Sequence, residues 1–240
     1  MKQIQTLNAV GGILLVAAML LTGVVVADDA ATDPEHFYQL VFIYMKDPAK
    51  FQEYAQKLGP VVSKYGGFAE RIIMPESIYP DSIDKPDMVN IVYYDSEEAY
   101  RQFEKDPEFL ALKPLRAQAI DMKGINARPS GGQLIDGDLQ NRPYMVELAY
   151  FKDGNPQGFE AYKKKATPLM REFGFRTERS LEPVSVFGGI KKPDVVNIHF
   201  FEDEAQRAQF ESDPRHAEVE GLYSAAIEDL IWIEGRAMTH

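Results

Sequence analysis

Two side chains in this sequence of 240 residues stand where acid–base chemistry could be done, His199 and Glu147. His199 alternates with Asn197 and Phe201 along residues 195–201, while Val196, Ile198 and Phe200 form the other face of the same run. If that apolar face meets helices, the imidazole points into the space between sheets, where it could ligate haem iron or act as a base. The bland alternative is a hydrogen-bonded structural histidine. Glu147 interrupts the apolar run 144–151. A buried carboxylate there would have its pKa raised and could serve as a general acid or base; the alternatives are an edge-exposed residue or a partner for Arg179. His216 and Glu220 are four residues apart, a spacing that suits two metal ligands on one helix face. Two ligands do not make a metal site, and no metal is expected.

Polar groups that could orient a ligand lie near the same segments. Asn90 and Asn197 occupy the His199 face of two matching strands, and Tyr44, Tyr94 and Tyr150 add phenols nearby. Aromatic residues at strand positions more often fill a core than line a cofactor site. The sequence has no P-loop, no glycine-rich dinucleotide fingerprint, no zinc-protease helix motif and no nucleophile elbow. It has no cysteine, hence no disulfide, thiolate nucleophile or iron–sulfur ligand. With 37 acidic against 26 basic residues, the net charge of −11 argues against nucleic acid and against anionic membrane surfaces.

The elements that must position these residues occur twice. Lys85-Pro86-Asp87-Met88-Val89-Asn90-Ile91 is matched by Lys192-Pro193-Asp194-Val195-Val196-Asn197-Ile198, 107 residues on. Phe103-Glu104-Lys105-Asp106-Pro107 meets Phe210-Glu211-Ser212-Asp213-Pro214 at the same offset, and Glu70-Arg71 meets Glu178-Arg179 at 108. Collinear matches with small shifts imply a duplicated unit. Each copy reads β-α-β-β-α-β, with strands near 38–45, 68–74, 88–94 and 119–127, then 144–151, 175–181, 195–201 and 227–234. Asp47 and Pro48 suit the start of the first helix, and Pro60 and Pro168 should kink or split the helices that contain them. Asp106-Pro107 and Asp213-Pro214 should interrupt the second helical stretch of each copy. The duplicated Glu-Arg pairs suggest cross-strand ion pairs.

The expected fold class is α+β: two ferredoxin-like repeats, residues 36–128 and 143–237, packed sheet to sheet as an intramolecular α/β barrel. A linker rich in Gly, Pro, Asp and Asn covers 129–142. Ahead of the repeats, Lys2, the apolar run 9–26 and the small residue Ala27 give the layout of a signal peptide over 1–27, followed by a tail over 28–35. The mature chain would then be exported, periplasmic or extracellular, with no membrane contact after cleavage. An uncleaved anchor is the alternative.

Gly66-Gly67 after the first helix, the Pro-Asp-hydrophobic third strand, the Phe-x-x-Asp-Pro segment and the closing Ile233-Glu234-Gly235 resemble the dimeric α/β-barrel superfamily, and within it the family catalogued as domain of unknown function 1330. Where that family usually has tryptophan, Phe103 and Phe210 stand here. Its arginine on the second helix is matched by Arg116 but not by Tyr223. The family has no established activity. The wider superfamily includes monooxygenases, isomerases and haem-binding enzymes whose sites lie inside the barrel or under its helices. Three functions follow as expectations: a barrel binding a small, partly apolar molecule between its two sheets; an enzyme of monooxygenase, isomerase or haem-degrading type using His199, Glu147 and Asn197; or a structural module that oligomerises. No cofactor is required by the sequence, though haem is compatible with His199.

Overall fold

The computed structural model of the chain describes residues 36–80, 83–132 and 142–238. The predicted leader and tail, and 133–141 of the predicted linker, lie outside the described residues. In the first half, β1 (Phe37–Met45), α1 (Pro48–Ser63), β2 (Phe68–Tyr79), β3 (Met88–Tyr94), α2 (Glu97–Lys105), α3 (Pro107–Ala119) and β4 (Ile120–Gly131) follow in order. The second half runs β5 (Pro143–Phe151), a short 3-10 turn, α4 (Pro156–Glu172), β6 (Phe175–Phe187), β7 (Val195–Phe201), α5 (Glu204–Ser212), α6 (Pro214–Ala226) and β8 (Ile227–Ala237).

Local chemistry sets these boundaries. Asp47 accepts hydrogen bonds from the Ala49 and Lys50 amides and Pro48 opens α1. Asp106 and Asp213 each cap a helix that begins on the following proline, so the second helical stretch of each half splits in two. Pro60 and Pro168, by contrast, do not divide α1 and α4. Each lies within four residues of its helix end, where the missing N–H removes one late hydrogen bond. Pro129 and Gly131, which composition suggests are linker, belong to β4 and pair with Leu181 and Ser180 of β6.

The strands close an antiparallel barrel in the order β1-β3-β2-β8-β5-β7-β6-β4. Each half contributes a contiguous run, β4-β1-β3-β2 and β8-β5-β7-β6, and the halves are sewn together along β2–β8 and β4–β6. Closure leaves no unpaired edge. The two sheets therefore meet edge to edge as well as across the interior. Gly235 marks one seam. A Cβ there would lie 2.2 Å from the Met74 carbonyl oxygen across β2–β8. Gly235→Ala should lower stability by about 1–3 kcal/mol, read as a lower denaturation midpoint.

Alternation along the strands sorts side chains between the barrel interior and the helices. Leu40, Phe42, Ile91, Leu148, Val196 and Ile198 are among the fully buried residues of one interior cluster drawn from both halves. The outward residues Val41 and Ile43 pack with Phe51 and Tyr54 of α1, and Met145 and Phe201 with Ala166 and Leu169 of α4. Side chains thus fill the space between the sheets. Because Val196, Ile198 and Phe200 point inward, His199 and Asn197 lie on the outer face beneath the helices, the reverse of the orientation in which His199 would enter the inter-sheet space.

Charged residues inside the barrel come from two bulges. The β2–β3 register shifts between Ala69 and Arg71, and the β6–β7 register between Thr177 and Arg179. A bulge breaks strict alternation, which lets Glu70 and Arg71, and likewise Glu178 and Arg179, reach common partners. Arg71 Nη2 lies 2.6 Å from Glu178 Oε1, and Arg179 Nη2 lies 2.5 Å from Glu70 Oε1. These pairs join opposite halves rather than neighbouring strands of one half, and Arg179 is spoken for by Glu70, not by Glu147. Burial pushes the Glu178 carboxyl above the usual range, only partly offset by Arg71, and its Oε2 has no hydrogen-bond partner.

Candidate functional site

Helices lie over the outer face of each half-sheet, with α1 against α3 and α4 against α6. Beneath each pair is a cavity, about 910 Å3 in the first half and about 380 Å3 in the second. The cavities occupy corresponding places. In the first, Asn90 of β3 stands opposite Val41 of β1 and Ile72 of β2. In the second, Asn197 of β7 stands opposite Glu147 of β5 and Ser180 of β6. Arg116 and Tyr223 likewise correspond, since the carbonyl of each accepts the amide that ends its helix.

The second cavity holds a saturated polar cluster. Glu147, only 3% exposed, accepts at Oε1 from the Tyr223 hydroxyl (2.5 Å) and at Oε2 from Asn197 Nδ2 (2.5 Å). His199 Nε2 lies 3.2 Å from the same Oε2, and its Nδ1 lies 3.0 Å from Thr177 Oγ1. Ser180 donates to Asn197 Oδ1 at 2.6 Å. With a proton on Nε2 the ring donates to Glu147, and its Nδ1 meets the Thr177 hydroxyl. Burial acts to raise the Glu147 pKa, but the His199, Tyr223 and Asn197 hydrogen bonds outweigh it and hold the carboxyl below the usual carboxylate range. Burial, followed by the Glu147 charge, pushes the Tyr162 and Tyr223 phenols far up. Glu147 is thus a buried carboxylate kept ionised, not one kept protonated as burial alone would dictate.

The first cavity replaces that cluster with apolar groups and vacant polar ones. Val41 stands in place of Glu147, and Val92 in place of His199. Gln39 donates to Asn126 and Tyr100, and Asn126 to Ser185, so these amides are satisfied. Asn90 is not: its side chain makes no hydrogen bond among the described residues and its Oδ1 is buried without a partner. The Arg116 guanidinium lies over the Phe109 ring at 5.8 Å and beside the Tyr54 hydroxyl. Phe51, Tyr54 and Leu58 from α1 supply an apolar wall.

The structure brings Glu147, Asn197 and His199 together in the second cavity, and Asn90, Arg116 and Tyr94 around the first. Tyr44 and Tyr150 join neither set. Their hydroxyls donate to the Asp84 and Lys191 carbonyls at 3.0 Å, and burial pushes both phenols up to about 12. His216 packs edge-on to Phe210, 4.7 Å between centroids. Among the described residues no cluster of three or more His, Cys, Asp or Glu could hold a metal ion. For His199 to ligate haem iron, it must give up Glu147 or Thr177, and the cavity before it is at the small end of ligand pockets. Tyr223, Tyr54, Thr177 and Ser180 are additional site residues. The signal for Tyr223 is its pairing with Glu147: both differ from the residues at the corresponding places of the first half, Arg116 and Val41, and they do so together.

A family model described as domain of unknown function (DUF1330) matches residues 36–127. No curated protein matches the sequence. Among solved structures, an anthrone oxidase-like protein superposes with a TM-score of 0.63 at 13% identity, covering 88% of this chain and 94% of its own. A mutant chlorite dismutase from Candidatus Nitrospira defluvii, in complex with cyanide, gives 0.56 at 9% identity, covering 87% and 92%. A Lactobacillus acidophilus NCFM protein inferred to be a monooxygenase gives 0.52 at 15% identity, covering 85% and 95%. The chain is similar to these proteins in fold.

Proposed function

We propose that this chain is a small-molecule-binding barrel whose site is the first-half cavity, under α1 and α3 rather than between the sheets. The observation that carries this is Asn90. A buried amide oxygen without a partner, as Asn90 Oδ1 is, costs roughly 1–3 kcal/mol, whereas both ends of the corresponding Asn197 amide are hydrogen-bonded. A cost kept at one of two corresponding positions, facing a cavity of about 910 Å3 within the size range of ligand sites, is what a ligand-completed site requires. Asn90→Leu should therefore stabilise the free protein by about 1 kcal/mol while abolishing ligand binding. Denaturant unfolding and native mass spectrometry of the two proteins check this together. Loss of stability in the variant, with the bound mass unchanged, would remove the site.

A second reading, an enzyme of the type whose fold it shares, is favoured by one observation, the contact of His199 with Glu147 in the second cavity. There His199 Nδ1 would take a substrate proton after displacing the Thr177 hydroxyl, with Glu147 stabilising the imidazolium. The first reading is preferred because every polar group of that cluster already has a partner.

Two further proposals concern the chain's history and destination. Matching strand orders in the two halves, with collinear motifs 107 residues apart, support duplication of a ferredoxin-like unit. The layout of residues 1–27 supports export, and N-terminal sequencing of the protein from its native host should begin at Asp28. A start at Met1 contradicts it.

A further inference from the structure

Glu147 shows how a carboxylate is held at this place in the fold. It sits between the amide of the facing strand residue, Asn197, and the side chain one turn from the helix end, Tyr223. In the first half the same two positions carry Asn90 and Arg116, while the residue that would bring the carboxylate is Val41. An amide and a guanidinium thus line one cavity at the two positions that hold a carboxylate in the second half, and the carboxylates at that cavity, Glu97 and Glu104, are engaged by Arg101, Arg128 and Tyr100 instead. Among the described residues Arg116 has no ion-pair partner, and Lys113, one turn earlier on the same helix, shares its position over Phe109, at 5.6 Å. The Asn90 amide, unbonded at both ends, can turn over to present N–H to an acceptor without losing a contact. Valine at 41 and 92 leaves open to a ligand the volume that Glu147 and His199 take in the second half.

Resting on the proposal that the first cavity binds a small molecule, we infer that its ligand is an apolar, aromatic-sized carboxylic acid. Its carboxylate occupies the place that the Glu147 carboxylate takes in the second half, accepting from Asn90 and pairing with Arg116. Its body lies between Phe51, Leu58 and Phe109. The corresponding Tyr54 and Tyr162 agree with this placement. Tyr162 feels the charge of Glu147, and Tyr54 already lies beside Arg116, so the ligand's head would sit next to the Tyr54 hydroxyl. An arginine donates to a carboxylate as a charge-assisted fork, which an alcohol cannot accept with equal strength.

Calorimetric titration of the full-length protein at pH 7 with 4-biphenylcarboxylate and with the neutral 4-biphenylmethanol tests this. The acid should bind at least tenfold tighter than the alcohol. Arg116→Gln should erase that preference while leaving the alcohol's affinity within about twofold. Val41→Glu, which places a carboxylate of the chain at the site, should weaken the acid at least tenfold. Arg116 is partly exposed, so its variant decides the matter even if Val41→Glu does not fold. Equal binding of acid and alcohol, or a preference that survives Arg116→Gln, overturns the carboxylate inference and leaves the apolar site standing. No binding of either compound to the unaltered protein overturns both.

Discussion

Glu70→Ala should be among the most damaging single changes in the barrel, lowering stability by about 3–5 kcal/mol, because it strands Arg179 in the interior with its charge uncompensated. Arg179 is 3% exposed and its Nε and Nη2 both donate to Glu70. Its remaining contacts are the Tyr38 ring at 5.6 Å and the Glu178 carbonyl, and the Glu178 carboxylate that also attracts it is already engaged by Arg71, which would leave two guanidiniums to one carboxylate. Replacing both partners, as in the double variant Glu70→Leu with Arg179→Leu, should restore most of the loss, since it also removes the desolvation cost of two ions. Denaturant melts of the single and double variants measure the coupling. A single variant within 1 kcal/mol of the unaltered protein would mean that water reaches Arg179 and that the halves are not locked by these pairs.

Glu147→Gln should cost about 2 kcal/mol at pH 7, because Tyr223, Asn197 and His199 then compete for one neutral acceptor, and an amide N–H is turned against donors. The loss should depend on pH in a defined direction. The folded-state pKa of Glu147 is depressed, so its stabilisation is fully present above the unfolded carboxyl value, near 4.3. That stabilisation is lost as the pH falls through the folded value. The gap between Glu147→Gln and the unaltered protein should accordingly narrow below about pH 4. Glu178 acts in the opposite sense. Its raised pKa means that protonation relieves the folded state, so its favourable contribution is present below the unfolded value and fades as the pH rises through the folded one. Glu178→Gln should therefore change stability less at acid pH than at neutral pH. A gap for Glu147→Gln that stays constant from pH 7 to pH 3 would show that the carboxylate is not held ionised by its three donors.

Much of the fold was legible in the residues. Alternating apolar runs marked the strands, and the Asp-Pro pairs at 106–107 and 213–214 marked where a helix must stop and restart, because aspartate caps and proline begins the next turn. The faces of β7 were harder to assign. Both Val196-Ile198-Phe200 and Asn197-His199-Phe201 are buried, and a strand covered on both sides does not announce which side is the barrel interior. The outcome places the more uniformly apolar face inside and the polar one under α4 and α6, which moved His199 out of the inter-sheet space. The Glu-Arg pairs were visible as pairs, but their partners were not. Two bulges and the closure of the ring decide that Arg71 meets Glu178 and Arg179 meets Glu70.

The site was legible in part. Glu147, Asn197 and His199 were legible as candidates because each is polar within an apolar run. What joins them is register, which sets Glu147 opposite Asn197, and the α6 position that brings Tyr223 down onto both. Asn90 gave the weaker signal, since it is one half of a repeated Asn-Ile motif shared with a satisfied counterpart. Its interest lies in Val41 and Ile72, apolar residues where Asn197 has Glu147 and Ser180, and those neighbours lie 49 and 18 residues away in the chain.

The central claim, that the first-half cavity and not the barrel interior or the second cavity is the binding site, is tested most directly by amide NMR of the 15N-labelled protein titrated with 4-biphenylcarboxylate. The predicted result is saturable shifts concentrated at Val41, Asn90, Val92, Tyr54 and Arg116, with Glu147, Asn197 and His199 unmoved. Shifts confined to the Glu147 cluster, or no saturable shifts at all, would contradict it.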